Sequence, residues 1–227
     1  MERCVIITAD GSSTYFVPEL KETYHSTRGA VSESQHVFID AGLKPIVAKQ
    51  LENNGKDEKN RQVAIRILEM GFGTGLNALL TLLYAEEHKI AVYYECLEKY
   101  PLTKEEVAVL NYPDKDKLAA LHACAWEEPV QLTADFCLCK HRIDLLDYCP
   151  TQIFDLVYFD AFAPDVQPDL WSKDLFAKIH ASLSLGGILV TYSAKGTVKS
   201  ALRAAGFEVQ RLPGAVGKRH MIRAVKS

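Results

Sequence analysis

The chain has 227 residues, 48% hydrophobic and 24% charged, enough to bury a core in a single domain and ordinary for a globular protein. No apolar run approaches the roughly 20 residues that span a bilayer, and no apolar signal segment opens the chain, so no membrane-spanning helix and a cytoplasmic setting are the expectations. Net charge is −3, yet residues 195–227 carry eight Lys or Arg against the single acid Glu208; that segment is +7 and the remainder −10, an asymmetry that fits either a solvated face or an anionic partner.

The six cysteines and seven histidines show no CxxC, HxxxH or HExxH spacing, and no metal is expected. Cys137 and Cys139 alternate, which places two small groups on one strand face.

In chain order, two β-rich runs around Asp10-Gly11 predict an N-terminal hairpin. The segment 31–43, VSESQHVFIDAGL, reads as a short helix capped by Ser32, and 51–62 as an exposed polar linker. Strands follow at 64–70, 91–97, 153–160 and 187–193, interleaved with helices at 76–88, 102–110, 169–183 and 197–205. Such alternation predicts a largely parallel sheet with helices on both faces. The end, FEVQRLPGAVGKRHMIRA, reads as two strands around a Pro-Gly-rich turn with no helical crossover, so this pair is antiparallel. The α/β outline resembles the class I, Rossmann-like methyltransferase fold. It forms a single domain over 1–227, with an N-terminal hairpin extension over 1–62 and the core over 63–227.

The stretch ILEMGFGTGLN, 67–77, lies between the first core strand and its helix. Glycines there permit positive φ and close approach of backbone to a ligand, and the helix N-terminus offers unpaired N–H groups. A dinucleotide fingerprint requires glycine at the sixth position, where Leu76 stands. Glu69-x-Gly71-x-Gly73-x-Gly75 resembles instead the S-adenosylmethionine loop. The acid and the free N–H groups answer the two ends of a methionine zwitterion, whereas Glu69 repels a pyrophosphate. A plainer reading is a βα turn that binds nothing. Glu98, at the end of AVYYECLE, is placed to accept both hydroxyls of a ribose. Asp144, after a third strand, is a candidate for the adenine amino group, with Asp147 as its competitor.

FDLVYFDAFAP delivers Asp160 to the C-terminal end of an apolar strand, the edge at which open α/β sheets bind ligands. Pro164 fixes the turn that follows. A carboxylate with an aromatic and a proline behind it resembles the fourth motif of amine methyltransferases. An amine attacks a sulfonium methyl only when neutral, so a group must accept or orient its proton. Phe162 and Tyr192 are candidates to stack on a base or to serve as core.

DGSSTYF, ETYHS, SESQHVFI, EMGFGTGLN, LEKYPLT, FDAFAPDVQPDLWSKDLF, GGILVTYSAKGTVKSALRAAGF and PGAVGKRHMIRA occur in this order over nearly the whole chain. Together they resemble the tRNA 5-methylaminomethyl-2-thiouridine methyltransferases, the methyltransferase domain of the MnmC type and the stand-alone MnmD type. The resemblance implies methyl transfer from S-adenosyl-L-methionine to the 5-aminomethyl nitrogen of a wobble uridine. It implies that Glu69, Gly71, Phe72, Gly73, Gly75, Asn77 and Glu98 line the cofactor site, and that Tyr24 and Ser26, flanking His25, close over it. Asp160 would face the acceptor amine, with Phe162, Pro164, Lys195, Lys218 and Arg219 around the acceptor entrance. The partner implied is the tRNA anticodon stem-loop, with phosphates held by Lys and Arg and an unstacked base in the pocket. The chain ends at Ser227 with no flavin oxidase domain, so FAD is not expected and the substrate arrives already as the aminomethyl form. No partner protein is called for. His220 departs from the acid usual after Gly-Lys-Arg. The alternatives are a small-molecule amine methyl- or aminopropyltransferase, and a non-catalytic module; the basic end and the intact acids weigh against these.

Overall fold

The computed structural model describes residues 1–54 and 64–227. β1 (Cys4–Ile7) pairs antiparallel with β2 (Ser13–Val17), Cys4 opposite Phe16, around the expected turn. β3 (Glu22–Thr23) then adds to β2 to complete a three-stranded sheet.

The next helix differs from the sequence expectation. α1 (Ala30–Ser34) continues through a π-helical segment (Gln35–Leu43) into α2 (Lys44–Asn54), so the helical run is long and begins before Ser32. Gly29 is the N-cap. Ser32 is already inside the first turn, where its N–H donates to Asp10 Oδ2 over 3.0 Å; the carboxylate that caps the helix therefore comes from the β1–β2 turn. Of the polar stretch expected at 51–62, residues 51–54 belong to α2 and the rest lies outside the described residues.

β4 (Ile65–Met70), α3 (Leu76–His88) and β5 (Val92–Leu97) follow the predicted pattern within a residue. Helix α4 (Lys104–Ala108) is shorter than expected, held by a capping box between Thr103 and Glu106. An unpredicted helix, α5 (Lys115–Ala123), follows the Tyr112-Pro113-Asp114 turn, with Asp114 accepting from Lys117 N. β6 (Pro129–Thr133) and β7 (Phe136–His141) form an antiparallel pair. β8 (Phe154–Phe159), a 3-10 turn (Pro168–Trp171), α6 (Lys173–Ser182), β9 (Leu183–Thr191), α7 (Gly196–Ala204), β10 (Glu208–Pro213) and β11 (His220–Val225) complete the chain. β9 thus begins four residues earlier than expected, directly where α6 ends.

The main sheet has the order β10-β11-β9-β8-β4-β5-β7-β6. Pairs β7-β5, β5-β4, β4-β8 and β8-β9 are parallel, while β11 is antiparallel to β9 and to β10. This is the class I methyltransferase arrangement predicted from the sequence, with β6 added at one edge. Strands buried on both faces read as apolar runs, and β4 shows the division. Ile67 packs with Phe38, Leu79 and Tyr158 on the α1–α3 face, and Leu68 and Met70 with Phe176, Val198 and Leu202 on the α6–α7 face. The π-helical segment comes so close to the sheet that a Cβ on Gly42 would stand 3.0 Å from Val190 Cγ2. Among the described residues no helix is long and apolar enough to cross a membrane.

Candidate cofactor and acceptor site

The parallel register brings the C-terminal ends of β4, β5 and β8 together: Met70 is opposite Leu97 on one side and Phe159 on the other. One residue beyond each strand end lie Gly71, Glu98 and Asp160. They border a cleft of about 570 Å³.

The glycine loop is built by close approach. Asp160 N–H donates to Met70 O over 3.1 Å. A Cβ on Gly71, whose φ is 98°, would meet Asp160 O at 2.9 Å. At Gly73 a Cβ would meet the ring of Tyr24 at 2.9 Å, because residues 22–27 of the N-terminal segment pass over the loop. Arg3 ties that segment down. Its guanidinium donates to Tyr24 Oη over 3.0 Å and to both Glu106 carboxylate oxygens over 3.0 and 3.1 Å. Burial pushes the Tyr24 phenol up to about 12, so it stays neutral.

Beneath the loop, Asn77 Nδ2 donates to Glu69 Oε1 over 2.9 Å and to Asp160 Oδ2 over 2.8 Å. One amide thus bridges the first acid of the loop and the strand-end acid of β8. Glu69 is wholly buried, and burial, reinforced by the charge of Asp160, holds its pKa well above the carboxylate range against the Asn77 bond. The buried Tyr94 hydroxyl also faces the Glu69 carboxyl, and Asn77 Oδ1 has no hydrogen-bond partner. Asp160 is enclosed by protein on most sides and partly exposed through the cleft. Burial pushes its pKa up to about 7; Asn77 and Lys218 pull it down and Glu33 pushes it further up.

Glu98 accepts from Gly73 N over 2.8 Å and from Tyr100 N over 2.7 Å, which fixes its carboxylate at the cleft wall. Asp144 accepts from Lys99 Nζ over 2.6 Å, and that ammonium holds its pKa below the usual carboxylate range.

Of the residues singled out from the sequence, Tyr24, Ser26, Gly71, Phe72, Gly73, Asn77, Glu98, Asp144, Asp160, Phe162 and Lys218 line the cleft. Glu69 lies behind Asn77. Gly75 is the left-handed N-cap of α3, packed against His122 and Phe72. Pro164, Lys195 and Arg219 lie outside the lining: Lys195 pairs with Asp165 at the surface, and Arg219 is exposed on the β10–β11 turn. The structure adds Glu33, buried with 6% exposure, whose Oε2 accepts from Ser26 N over 2.8 Å. It also adds the 166–170 turn and the Lys99-Tyr100 and Leu145-Leu146 pairs as cleft walls. No spacing rule links Glu33 to a strand end 127 residues away; only the packing of α1 on the sheet does. Tyr192 lines the cleft, its hydroxyl donating to Ala161 O over 2.9 Å.

A family model described as S-adenosyl-L-methionine-dependent methyltransferase matches residues 101–227. The chain belongs to that family. The residues present fit the family's cofactor: a glycine loop whose backbone borders the cleft, an Asn77 amide oxygen without a partner beside it, and a fixed carboxylate at the end of β5. Among the described residues no cluster of His, Cys, Asp and Glu could hold a metal ion.

The chain is 28% identical over 95% of its length to the tRNA 5-methylaminomethyl-2-thiouridine biosynthesis bifunctional protein MnmC of Actinobacillus pleuropneumoniae, covering 34% of that protein. It is 30% identical to the protein of the same name from Cupriavidus metallidurans, over 95% of the chain and 33% of the relative. This methyltransferase therefore spans about a third of the length of the curated relatives it matches. The crystal structure of MNMC2 from Aquifex aeolicus superposes on the whole chain with a TM-score of 0.81, at 28% identity, using 71% of that structure.

Proposed function

We propose that the protein methylates the 5-aminomethyl nitrogen of a wobble uridine, with or without 2-thiolation, in the anticodon loop of tRNA. What carries the reading is Asp160, opening into the cleft at the rim of the glycine loop and held there by Asn77. Curated relatives named for 5-methylaminomethyl-2-thiouridine biosynthesis, and a whole-chain structural match to MNMC2, support that acceptor over other amines.

S-adenosyl-L-methionine supplies an electrophilic methyl group on a sulfonium. Glu69, Gly71, Phe72, Gly73, Gly75 and Asn77 shape the site for its methionine end, Glu98 for the ribose hydroxyls and Asp144 for the adenine side. Tyr24 and Ser26 cover the loop. Asp160 accepts or orients the proton of the incoming amine, whose lone pair is needed for attack. A group that ionises near neutrality is matched to that task. Fixed geometry supplies much of the remaining rate. Phe162 borders the acceptor side, with Pro164 in the turn behind it, and Lys195, Lys218 and Arg219 offer positive charge to RNA phosphates, which give affinity without sequence reading. A cytoplasmic location follows from the tRNA substrate, and neither FAD nor a partner protein enters this reading.

The deciding experiment is transfer from labelled S-adenosyl-L-methionine to tRNA carrying 5-aminomethyl-2-thiouridine, beside tRNA with unmodified uridine and beside polyamines. Label at the aminomethyl base alone is the expected result. Transfer to polyamines with none to RNA would establish the small-molecule amine reading instead.

A further inference from the structure

Glu33, Tyr192 and Lys218 meet at the acceptor side of the cleft, and all three line it with Asp160. Lys218 Nζ stands 2.5 Å from Glu33 Oε1 and 4.2 Å from the centre of the Tyr192 ring. A carboxylate on one side and an aromatic face on the other is the arrangement proteins use to bind an alkylammonium ion. Here the ion in the cage is the protein's own.

The walls of the cage and its occupant differ in how they are anchored. Glu33 sits on α1, only 6% exposed, with its second oxygen tied to Ser26 N. Tyr192 directly follows β9 and is fixed through Ala161 O, next to Asp160. Lys218 reaches in on a flexible four-carbon stem from the β10–β11 turn. Its ammonium is paired with Glu33 Oε1 as an ion pair and not as an aligned hydrogen bond, so the contact that holds Lys218 in the cage is one another ammonium can replace.

We infer that Glu33 and the ring face of Tyr192 form the subsite that recognises the acceptor ammonium, and that Lys218 holds its place until the acceptor displaces it. The inference rests on the reading of the acceptor as a primary amine on RNA. A lysine ammonium and a 5-aminomethyl ammonium are the same functional group, so they compete for the same cage. Beside the cage lies Asp160, to which the bound ammonium gives its proton. Lys218, once displaced, carries its charge to the cleft mouth.

The test compares two anticodon stem-loop RNAs, one carrying 5-aminomethyluridine and one 5-methyluridine, on each protein variant. The readout is the ratio of their dissociation constants, in which general phosphate contacts and any loss of folded protein cancel. E33Q is expected to lower the preference for the aminomethyl RNA about tenfold, and Y192L about threefold. K218M is expected to raise it, because the internal competitor is gone. An unchanged ratio in E33Q, a lowered ratio in K218M, or no preference in the natural protein overturns the inference. Methyl transfer by the natural protein is scored in parallel. Without any transfer to the aminomethyl RNA the proposed function itself falls, whereas transfer with an unmoved ratio removes only the ammonium cage.

Discussion

The side-chain amide of Asn77, in the first turn of α3, donates to the Asp160 carboxylate at the end of β8 over 2.8 Å. The same nitrogen donates to buried Glu69, so a single amide stands between two carboxyl groups in a poorly solvated space. Asn77→Ala removes their shared donor, and a cost of about 1–3 kcal/mol in stability is expected. Because the Asn77 bond lowers the pKa of Asp160, the pH–rate profile of the variant should move to higher pH. Thermal unfolding and a pH profile together check this, since a merely structural role leaves the profile in place.

Asp160→Asn keeps the shape of the side chain and removes its capacity to take a proton. Transfer is expected to fall by about 100- to 10,000-fold, with cofactor affinity retained. Equilibrium binding of S-adenosylhomocysteine alongside single-turnover transfer separates the two. A variant as active as the natural protein removes Asp160 from the chemistry.

The upward shift of Asp160 also has a sign in stability. The unfolded chain gives up this proton near the ordinary value of 3.8 and the folded protein at about 7, so between these values the folded state binds more protons. Stability therefore falls as pH rises through that window, while activity that needs the ionised carboxylate rises through about 7. Asp160→Asn should abolish this part of the stability slope. Melting temperatures of both proteins across the window give the comparison.

At Gly71 the backbone has φ 98° and a Cβ would meet Asp160 O at 2.9 Å. The atoms it would meet, in Asp160 and Ala161, are all main chain, so none can rotate aside. Gly71→Ala is expected to destabilise by about 1–3 kcal/mol and to weaken cofactor binding by displacing the loop from β8. Calorimetric titration with S-adenosylhomocysteine measures the second effect; unaltered affinity would count against the loop's assigned role.

Arg3 joins the N-terminal segment to Glu106 and to the Tyr24 hydroxyl, with its side chain only 6% exposed. Arg3→Ala is expected to cost about 1.5–3 kcal/mol and to raise the cofactor dissociation constant, because Tyr24 loses its tether above Gly73. Hydrogen exchange of residues 22–27 reports on the tether directly.

Periodicity and punctuation carried the parallel strands, the βα loop and the terminal antiparallel pair, because each follows from interactions within a few residues. Glu69, Gly71, Gly73, Glu98 and Asp160 were legible for a related reason: strand ends in a doubly wound sheet converge on one edge whatever the rest of the chain does. The boundary of α1 was not, since its cap is Asp10, a residue 22 positions from the Ser32 N–H it accepts. Helix α5 has no such local signal, because its start depends on Asp114 taking a left-handed conformation after Pro113.

By itself the sequence determined the fold class, the place of the glycine loop between β4 and α3, and the acid at the end of the fourth core strand, since short-range patterning and topology suffice to place them. Tertiary structure alone decided that Lys195 and Arg219 lie outside the cleft while Lys218 enters it, and that Glu33 belongs beside Asp160. The physical reason is that these placements depend on how α1 and the β10–β11 turn pack across the sheet. Contacts between residues so far apart in sequence leave no local spacing to read.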